Sequence, residues 1–123
     1  YPGVKVVIDH IGGAPTDEGK DAPLLGNVLK MAQYPNTYIK FTPQGHKSKE
    51  EYPFADTHST FEKIYDTFGP QRIMWGTDFP HVMRDLGYDR ALDLFREHMA
   101  FLNDEDKEWI LGKTALNFWN FRG

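Results

Sequence analysis

The chain has 123 residues, a formal net charge of −4, 40% hydrophobic residues and no cysteine. This length predicts one domain, and the acidic balance argues against a nucleic-acid partner. The lack of cysteine excludes disulfides and thiolate metal sites and favours a cytoplasmic location. No apolar run reaches the length of about 20 residues that a membrane-spanning helix needs, so no membrane partner is expected.

Strands and helices are predicted to alternate along the chain. β-Branched residues, apolar spacing and Gly or Pro breaks mark their boundaries. Asp56 or Thr57 is predicted to cap the second helix, and Asn103 a later one. The predicted order is strand 4–9, helix 23–34, strand 37–42, helix 57–68, strand 72–76, helix 88–101, a helix after residue 103, and a helical tail at 114–121.

Strands that alternate with helices pair in parallel through right-handed crossovers. Three such strands alone leave two unpaired edges, which closure into a barrel removes. The sequence therefore predicts an α/β fold, the C-terminal portion of a (β/α)8 TIM barrel with about three βα units plus terminal helices. Residues 1–123 are predicted to be one fragment of a single barrel domain, because the chain enters a strand at once and lacks an initiator methionine.

Residues able to do chemistry stand at the end of each predicted strand. His10 follows the first strand, Thr42 ends the second, and Asp78 follows the third within IMWGTDFPHV (73–82). The C-terminal ends of parallel strands meet at the edge where α/β folds place their active sites. Asp78 is therefore a candidate catalytic carboxylate, and capping of the next turn is the structural alternative.

Side-chain alternation predicts which way the flanking residues point. His10 should share the inward face with Ile8, whereas Asp9 should face the helices and anchor a loop. Lys40 should also point inward, where it needs a carboxylate from a neighbouring strand or from a substrate. Lys40 is therefore a candidate substrate-binding residue.

The remaining charged and imidazole side chains have less specific patterns. The polar loop 43–54 is interpreted as a solvated surface, not a lid. His46, His58 and His98 are interpreted as surface or structural residues. Arg84 is a candidate for binding a substrate carboxylate, with a solvated surface charge as the alternative.

Two motifs together resemble those of the amidohydrolase-2 family, the metal-dependent TIM-barrel hydrolases and decarboxylases. They are VVIDHIGGAP (6–15) and WGTDFPH (75–81), and the resemblance extends through GKTALNFWNF (112–121). It implies that Asp78 ligates a metal or acts as general base, and that His10 contacts the substrate or the attacking water and is a second candidate metal ligand. It also implies that His81 lies beside the substrate. The chain lacks the family's first-strand His-x-His and fifth-strand His, and carries Thr114 where relatives often have Asn.

The resemblance implies a metal-dependent hydrolase that acts on a C–O or C–N bond, in a lactone or amide, of a small carboxylated substrate. Zinc is the expected metal, manganese the second choice, and metal-independent catalysis stays open. A non-oxidative decarboxylase of an aromatic or unsaturated acid is the first alternative. The second is a catalytically incomplete fragment that acts as an interaction domain, which binds a partner or re-forms a barrel by self-association as a homo-oligomer. The remaining N-terminal part of the barrel is a further expected partner.

Overall fold

In the computed structural model, which describes residues 1–121, three parallel strands form one sheet in the order β1-β2-β3. The strands are β1 (Val6–Ile8), β2 (Thr37–Phe41) and β3 (Ile73–Trp75). Ile39 lies opposite Ile8 on one side and Ile73 on the other. Parallel pairing of these three strands is therefore confirmed, and the strands are shorter at their ends than predicted.

Helical segments connect and follow the strands. The α-helices are α1 (Pro23–Lys30), α2 (Ala55–Phe68), α3 (His81–Asp85), α4 (Tyr88–Asp93), α5 (Asp104–Glu108) and α6 (Thr114–Trp119). Four 3-10 turns lie at Asp9–Gly13, Met31–Gln33, Gly45–Lys47 and Pro70–Arg72, and two π-helical turns at Leu94–His98 and Trp109–Lys113. None of the helices within residues 1–121 is long and apolar enough to cross a bilayer.

The core lies between the sheet and the helices that connect its strands. Ile39 and Phe41 of β2 are fully buried on the side of the sheet that faces the helices. The ring of Phe41 is 5.0 Å from that of Phe61 on α2 and 5.7 Å from that of Phe95. Contacts between aromatic rings at these distances add to the free energy gained from burying them. The opposite face of β2 carries Tyr38 and Lys40, and the ring of Tyr38 lies 4.7 Å from that of Phe118 on α6.

One predicted helix start is wrong, and another is confirmed. Helix α2 begins after Phe54, so neither Asp56 nor Thr57 is its cap. Asp56 instead accepts hydrogen bonds from the Ser48 hydroxyl and, at 2.8 Å, from the Lys49 amide, because its carboxylate reaches the preceding loop. Asn103 does cap α5, since its side-chain oxygen accepts from the Asp106 amide at 2.8 Å.

The segment after β3 also differs from the prediction. The predicted helix 88–101 is α4 followed by a π-helical turn, and it ends before Met99. Residues 81–85, for which no helix was predicted, form the short helix α3. The predicted tail helix is confirmed as α6, where the Thr114 hydroxyl donates to the carbonyl of Pro70 at 2.8 Å.

Candidate functional site

Asp78 and His10 lie close together at the C-terminal edge of the sheet. Asp78 follows β3 and His10 follows β1, and the distance from His10 Nε2 to Asp78 Oδ1 is 3.7 Å. Their side chains are 34% and 46% exposed, so both are open to a ligand. Asp78 has a φ of +58°, and non-glycine residues adopt that left-handed backbone rarely and often at functional sites.

His10 reaches this position by a different route from the one predicted. In the strand register, Ile8 lies opposite Ile39, a core residue on the helix-facing side, so the expected inward face shared by His10 and Ile8 is wrong. The strand ends at Ile8, and His10 and Ile11 take left-handed φ values of +50° and +48°. Alternation no longer applies in such a turn, and the turn aims the imidazole at Asp78.

The hydroxyl of Thr42 contacts the other nitrogen of the His10 ring. Thr42 follows β2 with a relative exposure of 1%, and its Oγ1 lies 3.3 Å from His10 Nδ1. Two tautomers are compatible with this contact: Thr42 donates to Nδ1 when the proton of a neutral imidazole is on Nε2, which faces Asp78, and accepts from Nδ1 in the other tautomer. Thr42 is thus a residue of the site whose role was not inferred from sequence, although its place at a strand end was the available signal.

Lys40 pairs with a neighbouring carboxylate, as its inward position requires. Its Nζ lies 2.7 Å from Asp9 Oδ1. The prediction that Asp9 faces the helices is wrong, because its carboxylate contacts Lys40, which lies on the face of β2 opposite to the core residue Ile39. The hydrogen bond from Lys40 lowers the pKa of Asp9 below its usual value. Lys40 stays a predicted substrate-binding residue, although Asp9 already engages its ammonium group.

A cavity of about 270 Å³ opens beside Asp78. His46, Phe54 and Asp85 line it together with Asp78 and His81, the predicted substrate-binding histidine. His46 comes from the loop 43–54 and was interpreted as a surface residue, so sequence reasoning missed its place here. The available signal was that this loop leaves the C-terminal end of β2, next to the other candidate residues.

Arg84 lies at the rim of this cavity, in a shallow depression shared with His46 and His81. Its side chain is 74% exposed, and its Nε donates to Asp85 Oδ1 at 2.7 Å. This hydrogen bond, with smaller contributions from the nearby imidazoles, lowers the pKa of Asp85. Arg84 is thus near the site and is paired with an adjacent carboxylate.

The described residues do not form a metal site by themselves. No group of three or more His, Asp or Glu side chains in the range 1–121 is arranged to hold an ion. The two predicted ligands, His10 and Asp78, are adjacent, whereas a catalytic zinc takes about three protein ligands. The donor set within residues 1–121 is therefore incomplete for zinc.

A family model described as amidohydrolase matches residues 1–121 of the chain. Several curated proteins are similar in sequence, among them two named for lactones. D-galactarolactone isomerase of Agrobacterium fabrum is 32% identical over 101 residues, which cover 80% of this chain and 34% of that protein. 4-Sulfomuconolactone hydrolase of Hydrogenophaga intermedia is 27% identical over 78 residues, which cover 63% of this chain and 25% of that protein.

Among solved structures, an amidohydrolase from Burkholderia multivorans crystallised with bound zinc has a TM-score of 0.81 and 21% identity. The match covers 96% of this chain and 44% of that one. The chain thus spans about a third of the isomerase and less than half of the solved amidohydrolase. At 21% identity, the structural similarity shows only that the folds are alike. The similar solved amidohydrolases are TIM barrels.

Proposed function

Since this chain belongs to the amidohydrolase family, as its motifs predicted, we propose that it supplies catalytic groups of a lactone hydrolase. The observation that carries the proposal is the pairing of Asp78 with His10, 3.7 Å apart, beside a cavity at the C-terminal edge of a parallel sheet. The names of both curated relatives support a lactone as the substrate. One of them is an isomerase and the other a hydrolase, and the hydrolase supports hydrolysis ahead of the decarboxylase alternative. The proposed substrate is a small carboxylated lactone.

Asp78 is the proposed general base. A water molecule beside its carboxylate transfers a proton to Oδ while the water oxygen attacks the lactone carbonyl carbon. The tetrahedral intermediate then collapses, the bond between the carbonyl carbon and the ring oxygen breaks, and the ring oxygen takes the proton back from Asp78. The product is the open-chain hydroxy acid, and Asp78 returns to its ionised form.

His10 is proposed to orient the reacting groups. With Thr42 donating to Nδ1, its Nε2–H points to the region that Asp78 also faces. That N–H can donate to the carbonyl oxygen of the substrate, where negative charge develops during attack. The distance of 3.7 Å between Nε2 and Asp78 is longer than a direct hydrogen bond, which keeps the donor available to a ligand.

We propose that a divalent metal binds only in the whole protein. Zinc in the Burkholderia multivorans neighbour supports zinc ahead of manganese. Asp78 and His10 are the proposed contributors from this chain, and the remaining ligands would lie outside the described residues. The described residues alone do not fit such an ion, because they provide two adjacent donors instead of three.

The remaining N-terminal part of a barrel is the partner we propose for the open edges of this sheet. Within residues 1–121, β1 pairs with β2 alone and β3 pairs with β2 alone. Val4 and Val6, beside and within β1, are 55% and 42% exposed. Unpaired strand edges that carry apolar side chains favour pairing with further strands, which completion of the barrel would supply.

Substitution of Asp78 by asparagine tests this function in the full-length protein. Loss of the general base should lower kcat for lactone hydrolysis by about 100-fold or more, measured by pH-stat titration of the acid released. Asp89→Asn, at an exposed aspartate in the first turn of α4, is the matched control and should keep wild-type activity. Wild-type turnover by the Asp78→Asn variant would contradict the assignment of the base.

A further inference from the structure

We propose that His46 determines substrate specificity by binding, together with His81, an anionic group of the substrate apart from the scissile ester. The group is a carboxylate held in the cavity beside Asp78. This inference rests on the proposed function and names the residues that select the substrate. It assigns a binding role to the loop 43–54, which by sequence resembled a solvated surface.

The two imidazoles face the same space and have no hydrogen-bond partner within residues 1–121. His46 and His81 line both the cavity and the shallow depression at its rim, and Asp78 lines both as well. Other histidines are engaged elsewhere: His58 contacts the carbonyl of Pro53 at 2.6 Å, and the ring of His98 packs edge-on against Tyr52. The nitrogens of His46 and His81 are therefore available to a ligand.

The turn that carries His46 is held in place by packing. A β-carbon on Gly45 would lie only 2.5 Å from the Phe54 ring, so the ring packs directly on this glycine. The Lys47 and Ser48 amides donate to the carbonyls of Gln44 and Gly45 at 2.9 Å and 3.1 Å. The loop thus presents His46 from a defined turn, which lowers the cost of ordering the side chain around a ligand.

Asp56 fixes the far half of the same loop. Its carboxylate accepts from the Ser48 hydroxyl and from the Lys49 amide at 2.8 Å. Because Asp56 lies in the first turn of α2, these bonds join the loop to a helix that packs in the core. Residues 43–54 are thereby anchored on both sides of His46.

The two imidazoles supply N–H donors for an anion, and the carboxylate of Asp85 next to them is already paired. The carboxylate of Asp85 accepts a hydrogen bond from Arg84 at 2.7 Å. This pairing makes Asp85 a weaker competitor of a substrate carboxylate for hydrogen bonds from the imidazole N–H groups. An imidazole always carries at least one N–H, and carboxylate oxygens are its strong acceptors. A volume of about 270 Å³ is near the lower end of ligand pockets, about 300 Å³, which suits a small carboxylated ring.

The test compares a carboxylated lactone with an uncharged lactone of the same ring size in the full-length protein. For His46→Ala we expect KM for the carboxylated lactone to rise about tenfold, the loss typical of one charge-assisted hydrogen bond. We expect kcat for both lactones, and KM for the uncharged lactone, to stay at wild-type values. Lys49→Ala removes a formal charge from the same loop at a side chain that is 75% exposed, and should leave all these constants unchanged.

Glutarate, a dicarboxylate without an ester, gives a readout independent of turnover. It should shift the His46 ring resonances of the wild-type protein in NMR spectra, with His46→Ala providing the assignment. If lactones are hydrolysed but His46→Ala keeps the wild-type preference, the specificity role is overturned while the hydrolase stands. If no lactone is hydrolysed but glutarate shifts His46, the anion site stands and the hydrolase fails. If no lactone is hydrolysed and glutarate does not shift the His46 resonances, both the hydrolase function and the anion site are overturned.

Discussion

Replacing Thr42 by valine tests whether a buried hydroxyl orients the imidazole of His10. The Thr42 side chain is 1% exposed, and its Oγ1 lies 3.3 Å from His10 Nδ1. Valine keeps the branched shape and nearly the volume of threonine, so the packing around β2 should persist. The substitution removes the hydroxyl partner of Nδ1, and the imidazole then loses its preference for the tautomer and rotamer that direct Nε2–H toward the site.

The expected loss follows from the value of one neutral hydrogen bond. Such a bond contributes about 0.5–1.5 kcal/mol net, which corresponds to a fall in rate of about twofold to tenfold. The fall should appear in kcat for lactone hydrolysis, because Thr42 acts through the orientation of His10 and not through substrate binding. KM should therefore stay near its wild-type value.

Two further variants separate orientation from packing. Thr42→Ser restores a hydroxyl and should recover most of kcat. Thr37→Val makes the same chemical change at a 2% exposed threonine at the start of β2, far along the strand from His10, and should leave kcat unchanged. Steady-state kinetics and thermal melting of all three variants provide the measurements. Wild-type kcat for Thr42→Val, or an equal loss for Thr37→Val, would refute the reasoning.

Two further predictions concern stability. Phe41→Ala should lower the free energy of unfolding, measured in urea, by about 3–5 kcal/mol, because Phe41 is fully buried. Phe79→Ala, at a ring that is 73% exposed, should change this free energy by no more than about 0.5 kcal/mol. Equal losses in the two variants would contradict this placement of the core. Lys40 holds the pKa of Asp9 below its usual value of 3.8. The ion pair should therefore stabilise the folded state above pH 3.8, and this contribution to the free energy of unfolding should be lost as the pH falls through the lowered pKa. Asp9→Asn should remove this contribution from a pH profile of unfolding, and an unchanged profile would count against the pair.

Local sequence was sufficient to locate the strands and the edge of the sheet that carries the site. The β-branched run before Asp9 and the helical spacing around Phe61 and Ile64 each repeat with the period of one element. His10 and Asp78 could be placed at the same edge, since parallel strands that alternate with helices end on the same side. The pairing of Lys40 with a carboxylate also followed, because an inward lysine needs one.

Long-range contacts decided the details that local sequence left open. The direction of His10 depends on a left-handed turn. Gly12 of this turn packs closely against Val28 of α1, since a β-carbon on Gly12 would lie 2.7 Å from the valine side chain. Asp56 resembles a helix cap by position, but a loop that folds back to it takes its carboxylate.

Amino-acid sequence by itself determined the family, the parallel α/β plan and the candidate pair of Asp78 and His10. Tertiary structure decided that Asp9 faces Lys40, that Thr42 contacts the imidazole of His10, and that His46 lines the cavity. The physical reason is that periodicity describes one element at a time, with a repeat of about two or 3.6 residues. The position of a loop side chain depends instead on which distant residues pack against its turn, as Phe54 packs against Gly45.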